Sequence, residues 1–278
     1  MKQLYENVAG ACSRNIAHTY STSFSIGIRT LHKSIRQPVY AIYGFVRLAD
    51  EIVDTFHDHD KARLMRMFRE DTVRAIEMRI SMNPVLHSFQ EAYHKYAMDW
   101  ELVDQFLKSM EMDLTLGNHD RVSYDNYILG SAEVVGLMCL KVFTAQQPLL
   151  YEELKPFAMK LGAAFQKVNF LRDVKDDYEE KGRTYFPELE WSNFSESIKQ
   201  RIEDEIQEDF DAARKGIRRL PSEARFGVYV AFIYYQRLFQ KIKTVPAAHI
   251  MNTRVRISNT RKLALFMRSY YEHNLNLI

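Results

Sequence analysis

VYAIYGFVRLADEIVD, residues 39–54, decides how the rest of the chain is read. Its apolar residues recur every three to four positions, the spacing of a helix that buries one face. Positions four apart on such a helix are offset by only about 40°. With Tyr43 taken as zero, Asp50 falls at about −20° and Asp54 at about +20°, while Val39 lies at about −40° and Arg47 at about +40°. Both carboxylates therefore share a face with the apolar stripe. An ionised carboxylate facing a core is costly unless it is paired or bound to metal.

A second stretch repeats the oddity. In KLGAAFQKVNFLRDVKDDYEEKGRTYFP (160–187), Asp173 and Asp177 again stand four apart. Gly162, Gln166 and Asn169 fall within about 60° of Asp173 on the helical wheel. The face becomes more polar toward its C-terminal end, as expected of a helix whose apolar part lines a pocket and whose acidic end meets the mouth. One such Asp pair is usually a solvated face. Two of them, each in line with apolar residues, point to a site.

An oxygen-rich site between two helices suits a hard cation. Magnesium takes one or two carboxylates together with waters and substrate phosphates, and manganese shares the preference for oxygen ligands. Neither motif holds His or Cys, which argues against zinc. The ligand is then a phosphate ester with a hydrocarbon remainder, and an allylic diphosphate meets both demands. Metal would make the diphosphate a leaving group, and a dry cavity would protect the carbocation left behind. Phe24, Tyr43, Phe165 and Phe170 are candidates to face that charge, and Arg47 to hold the departing diphosphate.

The rest of the chain agrees with a helical enzyme. Apolar periodicity predicts helices at 3–19, 38–56, 60–80, 84–96, 99–116, 123–144, 150–181, 195–220, 222–244 and near 259–275. No run alternates as a strand does, and no Ser-, Gly- or Pro-rich linker divides the 278 residues. One all-α domain, 1–278, is the expectation. With 38 basic against 36 acidic residues the net charge is +2, so no field argues for nucleic acid. Two cysteines, Cys12 and Cys139, cannot build a disulfide framework, and a reduced cytoplasmic compartment is expected. The most apolar windows, such as VYVAFIYY (228–235), fall far short of a membrane span. HDHD (57–60) reads as a solvated turn rather than a metal cluster, and Cys139 as a buried thiol.

Five ordered elements resemble the squalene/phytoene synthase family of head-to-head prenyl transferases. They are YSTSF (20–24), VYAIYGFVRLADEIVD (39–54), YILGSAEVVGLM (127–138), QKVNFLRDVKDDYEEKGRTYFP (166–187) and RVRISNTRKL (254–263). The resemblance implies an isoprenoid-synthase helical bundle around a central cavity. It implies that Asp50, Asp54, Asp173 and Asp177 bind magnesium with Asn169 assisting, and that Glu51 is a weaker extra ligand. Ser21, Ser23, Arg47 and Arg254 would contact diphosphate, and Tyr43, Gln166 and Tyr235 would line the reaction cavity. Arg172 and Tyr185 match the family signature as further substrate-side residues.

The family reaction joins two prenyl diphosphates through a cyclopropylcarbinyl diphosphate, which then ionises and rearranges. The likeness to bacterial carotenoid-pathway members implies two geranylgeranyl diphosphates joined to phytoene, with a proton lost at the end and NADPH not expected. Ile26, Gly27 and Ile28 are not bulky aromatics and would leave room for a longer tail if they face the cavity. Farnesyl diphosphate joined to dehydrosqualene or squalene is the alternative. A terpene cyclase or head-to-tail elongase fits less well, since its first motif is usually Asp-Asp-x-x-Asp and here it is Asp50-Glu51-x-x-Asp54. Outside the class stands a non-catalytic helical binding protein of the same fold, although all four aspartates are present. The C-terminal basic residues admit diphosphate contact by Arg254 or peripheral contact with anionic lipid at the inner face of the membrane. The sequence carries no signal of oligomeric state.

Overall fold

The computed structural model describes residues 1–145, 147–187, 194–251, 255, 265 and 269. Helices run in the order α1 (Lys2–Tyr20), α2 (Thr22–Thr30), α3 (Lys33–Asp54), α4 (Lys61–Met78), α5 (Pro84–Lys95), α6 (Trp100–Met112), α7 (Arg121–Ile128), α8 (Val134–Phe143), α9 (Pro148–Lys181), α10 (Glu196–Ile217), α11 (Ser222–Lys243) and α12 (Ala247–Ile250). Among the described residues the fold is all-α. Its one bridge pairs Asn118 with Thr184. Of the helix expected near 259–275, Leu265 and Ser269 are described, both helical, with the Ser269 hydroxyl donating to the Leu265 carbonyl at 2.9 Å; the expected contact Arg254 lies outside the described residues.

Local chemistry sets most boundaries. The side chains of Ser21, Asp60, Asn83, Asp120 and Ser195 each accept a backbone N–H at the start of a helix. HDHD is thus an exposed turn that ends in the cap of α4. Helix α9 stops at Gly182, whose φ of 64° is a left-handed conformation that glycine adopts without strain. Two boundaries depart from the periodicity. Helix α2 is nine residues long and occupies a stretch where the periodicity predicts no helix. Helix α3 starts at Lys33, not at Pro38, and carries the proline inside it. That proline removes one backbone donor, and the residues around it are buried: Ile35, Pro38, Val39 and Tyr40 all face the core.

The stretch 123–144, expected as one helix, holds a π-turn at Leu129–Glu133 between α7 and α8. By length and apolarity the run Arg121–Phe143 could cross a membrane, contrary to the expectation that no window is long enough. Half of its apolar window is buried inside the fold, however, where it packs against α6 and α9. That is the position of a core helix.

Two large apolar clusters form the interior. One gathers α1, α3, α5 and α6 around Phe45, Phe89 and Phe106; the other gathers α9, α10 and α11 around Phe210, Phe232 and Phe239. Helix α3 packs on α1, α5 and α8, and α9 packs on α8, α10 and α11. The two Asp-bearing helices therefore face each other across a cavity instead of packing along their length.

Candidate active site

The cavity has a volume of about 290 Å³. On α9 its wall runs from Leu154 through Phe157, Ala158, Leu161, Gly162, Phe165 and Gln166 to Asn169. Fifteen residues of helix make that wall about 22 Å long. Opposite stand Val39, Ile42, Tyr43 and Val46 of α3. Gly27 and Ile28 of α2 face the cavity, whereas Ile26 does not line it. The wall is almost wholly apolar until Gln166 and Asn169, one turn before Asp173.

The acidic residues gather beyond that end. Asp50, Asp54 and Asp173 are half-buried and Asp177 is buried. On α3, Arg47 bonds both Asp50 and Glu51, and its guanidinium lies 4.3 Å from the centre of the Tyr20 ring. Glu51 is buried in that pairing. On α9, Arg172 donates to its neighbour Asp173, Nε to Oδ1 at 2.8 Å. Half-buried carboxylates draw in guanidinium partners because water cannot fully solvate them. The Nε of Arg47 is nevertheless buried without an acceptor.

A residue to which the sequence assigned no role ties the two motifs together. Arg183, in the GRTYFP loop, donates to Asp54 Oδ1 at 2.9 Å and to the Asp113 carbonyl at 2.9 Å. Its Nη1 also lies 3.4 Å from Asp113 Oδ1. The loop is held there by Thr184, whose N–H donates to the Gly117 carbonyl at 2.8 Å and whose hydroxyl bonds Asn118 at 2.6 Å. Asp113 in turn accepts from Tyr127 at 2.7 Å and Tyr185 at 3.2 Å. Burial pushes the Asp113 carboxyl up to about 7, against the pull of Arg183 and the Tyr127 hydroxyl. No pattern in the sequence marked Asp113, which simply ends a helix. Arg183 had a signal in its quoted loop.

The other expected site residues divide by position. Tyr43 and Gln166 line the cavity. Ser21 caps α2 by accepting from the Phe24 N–H at 3.1 Å. Ser23 is half-buried on the same short helix. Tyr235, expected on the wall, lies behind it: its ring stacks on Phe165 at 4.1 Å and its hydroxyl donates to Asn169 at 3.3 Å. Tyr185, expected beside substrate, is also set back, stacked on Phe170 at 3.9 Å with its hydroxyl turned to Asp113. Large rings fill the second layer because apolar neighbours there repay their burial. Burial pushes the hydroxyls of Tyr43 and Tyr235 up to about 12, with Arg47 and Arg172 respectively acting in the opposite direction. Both phenols stay protonated near neutrality. Cys139 lines the cavity too, and burial pushes its thiol up to about 12.

The donor set for a metal is oxygen only. Among the described residues no three His, Cys, Asp or Glu side chains converge as a ready-made metal cage. The arrangement fits a cation that takes carboxylates from each helix and completes its shell with phosphate oxygens, the mode magnesium favours. The buried, unpartnered Nε of Arg47 beside it fits the arrival of an anion.

Comparison with known proteins agrees with this geometry. The family described as squalene/phytoene synthase matches residues 17–261. A 4,4'-diapophytoene synthase of Staphylococcus haemolyticus is 27% identical over 202 residues, covering 70% of this chain and 68% of that protein. A 15-cis-phytoene synthase of Synechococcus elongatus is 25% identical over 264 residues, covering 83% and 82%. The crystal structure of a dehydrosqualene synthase in complex with ligand superposes with a TM-score of 0.84 at 21% identity, covering 98% of each chain.

Proposed function

The chain belongs to the squalene/phytoene synthase family, and from that membership we propose that residues 1–278 act as one prenyltransferase unit. In this reading it joins two geranylgeranyl diphosphates head to head, giving phytoene for carotenoid synthesis. The observation that carries the proposal is an apolar cavity between α3 and α9, the helices that bear the two Asp pairs, with Gln166 and Asn169 at its polar end.

Asp50, Asp54, Asp173 and Asp177, with Asn169, would hold magnesium or manganese. Bound metal would neutralise the diphosphate and make it a competent leaving group. Arg47 and Arg172 would exchange their present carboxylate partners for phosphate oxygens as substrate arrives. Ser21, Ser23 and Arg254 would add contacts to the same group. The walls keep water from the carbocation, and the faces of Phe24, Tyr43 and Phe165 stabilise it. Tyr43 and Tyr235, both protonated, are hydrogen-bond donors in the resting site and poor proton acceptors. The released diphosphate is the better base for the final proton.

The C20 substrate is favoured by the small and aliphatic wall residues Gly27 and Ile28 and by the phytoene synthase relative. The C15 alternative, leading to dehydrosqualene or squalene, is favoured by the diapophytoene synthase relative. Loss of a proton ends the proposed reaction, so NADPH is not required. We place the enzyme in the cytoplasm, with peripheral contact at the inner membrane face where its apolar product partitions. Incubating purified protein and magnesium with C15 and C20 diphosphates, with and without NADPH, tests the proposal by product mass. Phytoene from the C20 substrate is expected. Squalene alone would overturn the choice of reaction, and no product from either substrate would favour a binding protein of the same fold.

A further inference from the structure

Far from the acidic mouth the cavity closes on a third, separate apolar cluster that includes Leu140, Leu154 and Leu220, with Phe143 and Phe157 packed against it. Phe157 is held in a way the others are not. Gly216 of α10 lies directly against it: a Cβ at that position would meet the Phe157 Cβ at 2.3 Å and its Cγ at 2.8 Å. The absence of a side chain at 216 is what lets the two helices close around the ring. Over the same ring lies the guanidinium of Arg219, 5.8 Å from its centre, and Arg219 is paired with Glu153. Those two side chains are 41% and 55% exposed, so Phe157 stands between the closed end of the cavity and solvent. It precedes Asn169 by twelve residues, about 18 Å along the axis of α9.

We infer that Phe157, wedged against Gly216, is the stop that limits how long a prenyl chain the cavity accepts. The inference rests on the prenyl-transfer reading and names a specificity determinant for it. Truncating the ring adds the space it fills to that end of the cavity without touching Gln166 or Asn169 at the other end. A longer chain then finds room for methylenes that the parent must exclude, and one methylene in an apolar pocket is worth about 10- to 200-fold in selectivity.

The test is a competition between C20 and C25 all-trans diphosphates, with products separated by mass. Phe157→Ala should raise the share of C25-derived product relative to C20 by at least about tenfold, and Phe157→Leu should raise it by less. An unchanged ratio in folded Phe157→Ala, or in Phe157→Leu should the alanine variant not fold, overturns the stop. Thermal shifts with non-hydrolysable C15, C20 and C25 thiodiphosphates supply a readout independent of turnover. The C25 analogue should stabilise the variant more than the parent, and equal shifts at every length would also overturn it. A parent that yields no product from any prenyl diphosphate defeats the proposed function, while the thermal shifts still decide the stop.

Discussion

On one side of α9, Lys160 and Lys167 each reach Asp209 of α10 at 2.7 Å, and Lys167 reaches Glu205 at 2.5 Å. Arg121 adds a contact to Glu205 at 3.1 Å. On the other side, Asp173 and Asp177 follow the polar end of the cavity wall, and Asp177 and Asp54 both act on the Tyr185 hydroxyl. Both groups put charge among apolar residues. They differ in access. In the first group cations meet every carboxylate, and the Asp209 side chain is only 1% exposed. At the mouth, Asp50, Glu51, Asp54, Asp113, Asp173 and Asp177 share the space with Arg47, Arg172 and Arg183 among the described residues. Paired charge can be sealed into a helix interface. Carboxylates that keep some exposure, as Asp50 and Asp173 do with side chains 34% and 17% exposed, can still be reached by a divalent cation.

This contrast can be broken from either side. The largest effect is expected from Asp209→Ala, which removes the most buried carboxylate from Lys160 and Lys167 and leaves Lys167 with Glu205 as its acidic partner. It should cost about 3 kcal/mol in urea unfolding, with the kcat of the folded fraction unchanged. A stability loss accompanied by altered kcat would tie the cluster to the site. Asp173→Asn should do the reverse, lowering kcat at least about a hundredfold, or about 2.7 kcal/mol in the barrier, while the helical CD signal stays intact. Retained activity would remove Asp173 from the metal site. Arg183→Lys keeps the charge but loses the fork that joins Asp54 to Asp113. The magnesium concentration for half-maximal rate should rise about ten- to a hundredfold, and an unmoved value would reduce Arg183 to a loop anchor.

The last test is a pH dependence. Burial holds the Asp113 carboxyl at about 7, above an unfolded value of about 3.9. Between those values the folded chain binds more protons than the unfolded one. The stability this carboxyl contributes is therefore complete below about pH 4 and is lost as pH rises through about 7. The Tm of the parent minus that of Asp113→Asn should fall over that window. A flat difference would mean that Asp113 stays ionised against Arg183 throughout.

Much of the fold was legible because helical periodicity is local. The spans of α4, α5, α10 and α11 follow from apolar spacing, caps and flanking prolines. Helix α2 escaped because nine residues give too few turns for a periodic signal, and its cap, Ser21, also falls in a motif read as substrate contact. At the site, the two Asp pairs were legible from their spacing, as was the apolar face between Gly162 and Asn169. Tyr235 and Tyr185 came with the resemblance; here their rings stack on Phe165 and Phe170, and a motif match does not say what stands in front of a residue. Arg183 bonds Asp54 across 129 residues of chain and the Asp113 carbonyl across 70. No local pattern carries such a pairing.

Sequence alone determined that this chain is helical, that four aspartates lie in line with apolar stripes, and which family it resembles. Each of those follows from residue order along one helix or one motif. Tertiary packing decided that α3 and α9 stand apart with a cavity between them, that Lys160 and Lys167 meet Asp209 inside the α9–α10 interface, and that Phe157 is wedged against Gly216 at the apolar end of the cavity. The reason is physical: pairing and closure depend on distances between segments remote in sequence, and those distances exist only once the helices have packed.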